Sequence, residues 1–401
     1  METRAIELGS VIKDIAAGPF GSNLKVSCFV DEGFPIIDGA NLKGYKVTDN
    51  LTKFVTEEKA RSLSRSIAHR GDVVVTISGT LGQIAYIPDD SQYEEYLCSQ
   101  RQFRVTFDTT KVYVPFLVFY FHTYEGQNKI LSFANQTGVP ALSQPLKNFK
   151  KITVSLPELK EQKRVAGIIE SLNEKIENNK KINDNLLQQA KTIFREWFIG
   201  NPEKDIWPLV TLDSLTSLIS RGITPKYADD STQVVLNQKC IRDHYIDTAL
   251  ARKHNPKVIN EKWLQYGDLL INSTGEGTLG RAAQVWFVPE NMTVDSHVTV
   301  VRPQNQQLIF YIGLWGLSHE REFEALHTGS TGQTELPRDR VRDLELRMPD
   351  NDILTRFNSV IEPMVSAIIV NQQENSRLAN IRDTLLPRLT SGEIDVSDIQ
   401  L

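Results

Sequence analysis

The chain has 401 residues, 40% of them apolar and 24% charged, with a formal net charge of −5. This is the composition of a folded protein with room for two or three domains, and it excludes bulk positive charge as a source of affinity for nucleic acid. No apolar run is long enough to span a bilayer, and Met1-Glu2-Thr3-Arg4 leads into no apolar signal stretch, so a cytoplasmic location is expected.

Four segments follow in chain order. Residues 1–156 read as globular. A short helix-like stretch at Leu8-Gly9-Ser10 leads to the turn Gly18-Pro19-Phe20-Gly21. Gly71-Asp72 then opens a strand that runs through Val73–Ser78, turns at Gly79-Thr80-Leu81-Gly82 and returns as a second strand ending at Pro88. Residues 157–200 read as helix. Residues 201–348 repeat the globular pattern, with Leu212-Asp213-Ser214, a turn at Gly222, and Gly267-Asp268 before a strand, a glycine turn over Gly275–Gly280 and a close at Pro289. Residues 349–401 are helical again and stop at Ser391-Gly392.

The helices repeat best. Val165, Ile169, Leu172, Ile176, Asn179, Asn183, Leu186, Ala190, Ile193 and Trp197 fall opposite Phe357, Ile361, Met364, Ile368, Asn371, Asn375, Leu378, Arg382, Leu385 and Leu389. Steps of four and three make a heptad seam, and both copies carry asparagine at the same two seam positions. A duplicated module implies a pseudo-twofold relation, and hence antiparallel helices. With shared centres, Asn179 then faces Asn375 and Asn183 faces Asn371. Pro363 interrupts the second seam, so a short helix followed by a longer one is expected there. Ser171 is its counterpart as a candidate N-cap in the first copy. The expected class is α+β: two globular mixed α/β domains separated by two long antiparallel helices in a coiled coil, related by an internal repeat.

Catalytic constellations are missing from the sequence. Neither glycine loop ends in the Gly-Lys-Ser/Thr of a nucleotide-binding loop. Asn201-Pro202-Glu203 and Asn255-Pro256-Lys257 lack the Pro-Pro-aromatic continuation of an adenine methyltransferase. Pro88-Asp89 is followed by no Glu-x-Lys of a metal nuclease. Cys28, Cys98 and Cys240 are too few and too scattered for a disulfide framework or a zinc site, and the histidines show no metal-ligand spacing. The better candidates are polar groups suited to DNA. Ser78 and Thr80 on the first glycine loop offer hydroxyls and amides to phosphate. Alternation in the strand from Gln100 to Phe107 puts Phe103, Val105 and Phe107 inward. Gln100, Gln102 and Arg104 then face outward, where amide and guanidinium groups match adenine and guanine edges. His297 holds the matching place in the second half. Gln136 and Gln333 lie on polar Thr-Gly loops, and Lys25, Lys43, Arg221, Lys226, Lys239 and Arg281 supply cations. A solvated strand face is the plain alternative for each.

With these strings assembled, the chain resembles the specificity (S) subunits of type I restriction–modification systems. The resemblance is carried by the order globular domain, helix, globular domain, helix. It is carried also by Leu156-Pro157-Glu158-Leu159-Lys160-Glu161-Gln162-Lys163-Arg164, by Phe194-Arg195-Glu196-Trp197-Phe198, and by Arg382-Asp383-Thr384-Leu385-Leu386-Pro387-Arg388-Leu389-Thr390-Ser391-Gly392. It implies a non-catalytic reader whose two target-recognition domains, 1–156 and 201–348, each recognise one half of a bipartite double-stranded DNA target. Spacer helices 157–200 and 349–401 would set the gap and dock two methyltransferase (M) subunits, and restriction (R) subunits would complete the assembly. No cofactor is implied in this chain; the partners would use S-adenosylmethionine, ATP and Mg. A structural adaptor with two protein-binding heads, or an unrecognised methyltransferase or nuclease, are the competing readings.

Overall fold

The computed structural model describes residues 2–135, 138–255, 260–329 and 334–397. It forms two compact units: 1–176 with 376–401, and 177–375. Each unit holds one globular head and a stretch of both long helices.

In the first unit, strands β1 (Ile12–Ala17), β2 (Val73–Thr76), β3 (Ile84–Tyr86) and β4 (Gln102–Phe107) form a sheet in the order β1-β4-β2-β3. The second unit repeats this with β5 (Thr216–Arg221), β6 (Leu269–Asn272), β7 (Ala282–Gln284) and β8 (Val298–Pro303), in the order β5-β8-β6-β7. The two central hairpins, β2–β3 and β6–β7, are the Gly-Asp strands with their glycine loops. Each head adds a smaller sheet containing one parallel pair: Phe34–Ile37 with Glu95–Cys98, and Val234–Leu236 with Met292–Val294. Antiparallel and parallel pairings in one head make the fold α+β with mixed sheets.

One face of each four-stranded sheet is covered by an apolar helix. In the first unit this is Val114–Phe121, buried throughout; in the second it is Ile309–Ser318, buried from Phe310 to Leu317. The long helices complete the same cores. Val165, Ala166 and Ile169 join Leu386 and Leu389 in the first unit; Leu187, Ala190 and Phe194 join Leu354, Phe357 and Ile361 in the second. Burying these side chains against the sheet, at roughly 1.5–3 kcal/mol for each large one, is what fixes each head to its helices.

Helix α1 spans Leu159–Phe194 and ends in a π-helical turn, Arg195–Ile199. Its first turn is anchored by buried Gln162, which donates to the Pro157 carbonyl and accepts from the Tyr113 amide, at 2.9 and 2.8 Å. Helix α2 spans Asn351–Thr390 without a break and stops before Gly392, whose φ of +81° favours glycine. The expected division at Pro363 does not occur. Proline removes one N–H from the ladder, but Ile361 and Val365 on either side are buried in the core and hold the helix in line. Ser171 is likewise no cap: its hydroxyl donates back to the Gly167 carbonyl at 2.8 Å in mid-helix.

Within the second unit the helices run antiparallel, since rising numbers on α1 meet falling numbers on α2. Asn179 donates to Asn375 Oδ1 at 2.9 Å and to Glu374 at 2.7 Å, and Asn371 donates to Asn183 Oδ1 at 2.8 Å. Asn179 and Asn183 are buried and therefore need these partners. The reading of apolar runs requires one correction. An 18-residue window of α2 has mean hydropathy 1.4, which is apolar enough to cross a membrane by length and composition. The buried share of that window is 28%, and Leu354, Phe357, Ile361, Val365 and Ile368 point into the second core.

Candidate nucleic-acid interface

A polar cleft of about 590 Å³ opens at one end of the first head. Three chain segments build it. The glycine loop after β2 contributes Ser78, Gly79 and Thr80. The approach to β4 contributes Ser99, Gln100, Arg101 and Gln102. A short 3-10 turn after Phe34–Ile37 contributes Asp38, Gly39 and Ala40, with Lys53 beside it. The loop takes this path because Gly79 and Gly82 sit at φ +95° and +85°, where a Cβ is disfavoured. Thr76 Oγ1 donates to Gln83 Oε1 at 3.0 Å, and Gln83 Nε2 donates to the Gly39 carbonyl at 2.9 Å, tying the loop strand to the turn. Asp38 caps that turn through the Ala40 amide at 2.8 Å and pairs with Lys53 Nζ at 2.6 Å. Burial pushes the Asp38 carboxyl up, but the Lys53 ammonium and the Ala40 amide outweigh it and hold it below the usual carboxylate range.

The structure thus brings Ser78, Thr80, Gln100 and Gln102 into one cleft. Gln100 and Thr80 are exposed, and Ser78 is half-buried. Gln102 is not the open strand face the alternation suggested: it is buried, accepts from the Ser99 hydroxyl and donates to Thr76 Oγ1 at 3.5 Å. Arg104 is buried too. Its guanidinium pairs with Asp14 at 2.7 Å and donates to the Arg65 carbonyl at 3.1 Å, which holds the Asp14 carboxyl low. The physical reason is that the second face of the sheet is covered. Val74, paired with Arg104, packs with Ile37, Ala85, Tyr96 and Cys98 under the smaller sheet. Lys25 and Lys43 are exposed and do not line the cleft, although Lys25 sits between the lining residues Leu24 and Val26.

The second head repeats the arrangement with other side chains. Gly275 and Gly280 have φ of +94° and +87°, matching Gly79 and Gly82. Thr274 Oγ1 lies 2.7 Å from His297 Nδ1 and 3.3 Å from Gln238 Oε1. Asn272 Nδ2 donates to the Gln238 carbonyl at 3.0 Å, tying strand to turn as Gln83 does in the first head. His297 is exposed beside this loop, and its counterpart by backbone pairing is Arg101: Ile77 N donates to the Arg101 carbonyl as Ser273 N does to that of His297. Arg221 is occupied by Glu335 and the Leu336 carbonyl, and Arg281 donates to Gly277 O at 2.7 Å. Lys226 and Lys239 are exposed. Gln136 and Gln333 lie outside the described residues. Sequence reasoning missed Lys53, Gln83, Arg101, Gln238 and Thr274. The available signal was the apolar pair followed by an Asx cap, Ile36-Ile37-Asp38 and Val235-Leu236-Asn237, which marks the same turn twice. Among the described residues no group of His, Cys, Asp and Glu is arranged to hold a metal ion.

Residues 23–188, which include the first cleft and most of α1, match the family model described as the type I restriction modification DNA specificity domain. The chain is also 24% identical to the specificity subunit of the type I restriction enzyme MjaIX of Methanocaldococcus jannaschii, over 97% of this chain and 93% of the relative. The chain is thus similar to type I specificity subunits along nearly its whole length, and its first head carries the matching DNA specificity domain. The HindI specificity subunit of Haemophilus influenzae is 20% identical over 61% of this chain and 69% of its own length. Among solved structures, the type I restriction–modification S subunit of M. genitalium has the same fold, with a TM-score of 0.57 at 12% identity, covering 97% of this chain and 96% of that one. The matching domain is described as a DNA specificity domain and the relatives as specificity subunits, which points this chain to recognition of DNA sequence.

Proposed function

We propose that this specificity subunit reads a bipartite duplex target, with one half-site assigned to each head. The helices α1 and α2 set the gap between half-sites and dock two M subunits. Those partners supply S-adenosylmethionine-dependent adenine methylation, and R subunits add ATP- and Mg-dependent restriction. The observation that carries this reading is the duplication of a whole head: the same sheet order, the same glycine loop and the same Asx-capped turn occur twice, each head seated on the long helices. One site would not require two complete scaffolds. Docking is supported by apolar side chains left exposed on the helices, Ile182 on α1 and Val360, Val370 and Ile381 on α2. Borrowed charge from partners also accounts for a DNA reader whose own net charge is −5.

The test is to insert one heptad into α1 and one into α2 at matched heights and to map methylation by the complex reconstituted with its M subunits. Seven residues add about 10 Å, near three base-pair steps. The expected result is an unchanged pair of half-sites with a gap about three base pairs longer. An unchanged gap with full activity would rule out the spacer role.

A further inference from the structure

The smaller sheet carries a cation at the same pairing position in both heads. In the first head, Ile36 N donates to the Lys53 carbonyl at 3.0 Å, next to the pair Pro35–Phe54. In the second, Val235 pairs with Arg252. Ile36 and Val235 are themselves equivalent: each lies two residues before the Asx that caps the 3-10 turn, Asp38 or Asn237, and each sits in the parallel pair of its head. Lys53 and Arg252 are therefore the same structural position, and Lys53 lines the cleft of the first head.

Their surroundings differ by one carboxylate. Lys53 is ion-paired with Asp38 at 2.6 Å. At the position of Asp38 the second head has Asn237, which makes the same caps, to Lys239 N at 2.9 Å and through a capping box, but carries no charge. Arg252 has no carboxylate partner among the described residues. It sits over the exposed Tyr227 ring, its guanidinium carbon 3.4 Å from the ring centroid. Lys226 and Lys253, both exposed, flank this pair, because the segments 226–228 and 253–255 run together through Ala228 N to Lys253 O and Asn255 N to Lys226 O. A stacked guanidinium is pre-oriented, so less side-chain freedom is lost when its fork engages two phosphate oxygens.

We propose that Lys53 and Arg252 are the equivalent DNA-phosphate contacts of the two heads, and that Asp38 is an internal counter-ion that stands in for phosphate at Lys53 in the first head. This rests on the DNA-reading function argued above. It goes beyond it by assigning one contact per head and a built-in attenuation to only one of them.

The experiment uses the full chain reconstituted with its M subunits, a duplex carrying the mapped target, a scrambled duplex, and a series of salt concentrations. Each phosphate contact contributes a slope of about 0.9 in log affinity against log salt, or about threefold in affinity across a fourfold change in salt. Arg252→Ala is expected to flatten the slope by that amount on both duplexes, with Arg252→Lys recovering most of it. Asp38→Asn keeps the cap, as Asn237 does, and is expected to steepen the slope by the same amount and tighten binding about threefold at the low-salt end. Asp38→Asn with Lys53→Ala should cancel that gain. A gain that survives in the double variant overturns the proposal, as does an Arg252→Ala slope equal to wild type. A loss confined to one target base also overturns it, making Arg252 a base reader. Should Arg252→Ala fail to fold, the Asp38→Asn arm decides alone. Failure of the underlying reading is separate and visible in the unmodified complex, as equal affinity for target and scrambled duplexes at every salt.

Discussion

In the first head Asp72 is buried against a threonine; in the second its counterpart Asp268 is buried against an arginine. Asp72 accepts from Thr106 Oγ1 at 2.6 Å and from His69 N at 2.9 Å. Asp268 accepts from Gln265 N at 2.8 Å and is gripped by Arg302 through Nε and Nη2, both at 2.8 Å. Thr106 and Arg302 stand at the same place on β4 and β8, each one residue after a valine that pairs with the strand following the Gly-Asp turn. The same contrast recurs at the head–helix contact. Tyr45, seven residues after the capping Asp38, lies under the guanidinium of Arg382, while His244, seven residues after the capping Asn237, lies close to Lys191 and Glu320. Positions that dictate backbone path are kept instead: Gly79 with Gly275, Gly82 with Gly280, and Gly18 with Gly222, where a Cβ would sit 1.9 or 2.0 Å from a carbonyl oxygen. The two heads share a scaffold and differ in polar wiring.

The largest difference should appear in the buried acids. Arg302→Leu leaves Asp268 buried without its counter-charge and should cost the second unit about 3–5 kcal/mol. Thr106→Val removes one hydrogen bond to Asp72 and should cost the first unit about 1–2 kcal/mol. Trp197, Trp207, Trp263, Trp286 and Trp315 all lie in the second unit, so tryptophan fluorescence follows that unit while circular dichroism follows both. Denaturant titrations read by the two signals should separate for Arg302→Leu. Coincident, wild-type midpoints would mean the ion pair contributes nothing.

Next comes acid sensitivity. Burial, reinforced by Lys191, pushes His244 down to about 4. The unfolded chain binds that proton near 6.5 and the folded one does not. The stabilisation is therefore complete above pH 6.5 and is lost as pH falls towards 4, by about 3 kcal/mol. His244 has φ +67°, which asparagine tolerates. His244→Asn should flatten the pH dependence of the fluorescence-detected midpoint over that range. An unchanged pH profile would place the titration elsewhere.

The smallest effect concerns the shared scaffold. Gly79→Ala forces a left-handed alanine with open space around it, its nearest neighbour being Arg101 at 3.8 Å, and should cost about 1–2 kcal/mol. Gly275→Ala should cost more, because its Cβ would meet Thr278 Oγ1 at 2.5 Å and Gln238 Oε1 at 2.9 Å. Equal midpoint shifts would mean that the second loop is looser than its hydrogen bonds indicate.

Much of the architecture was legible in the sequence because it is written in spacing. The heptad seams of α1 and α2 gave the helix pair, the duplication gave its antiparallel sense, and Gly-Asp before each hairpin gave the repeated sheet. Side-chain environment was less legible. Alternation along Gln102–Phe107 reveals two faces but not that both are covered, so Gln102 and Arg104 were misread as open. Pro363 carries a breaking signal that local sequence cannot weigh against burial of Ile361 and Val365. Lys53 and Arg252 were invisible because Lys53 only precedes the two-residue strand Phe54–Val55, Arg252 opens the two-residue strand Arg252–Lys253, and both acquire meaning only through partners some 15 residues away or more.

The independence of the two heads is tested most directly by exchanging residues 2–156 for the first head of another specificity subunit and mapping the adenines methylated by the reconstituted complex. The account predicts that one half of the recognised sequence changes while the other half and the gap stay as they were. A change in both halves, or in neither, would contradict it.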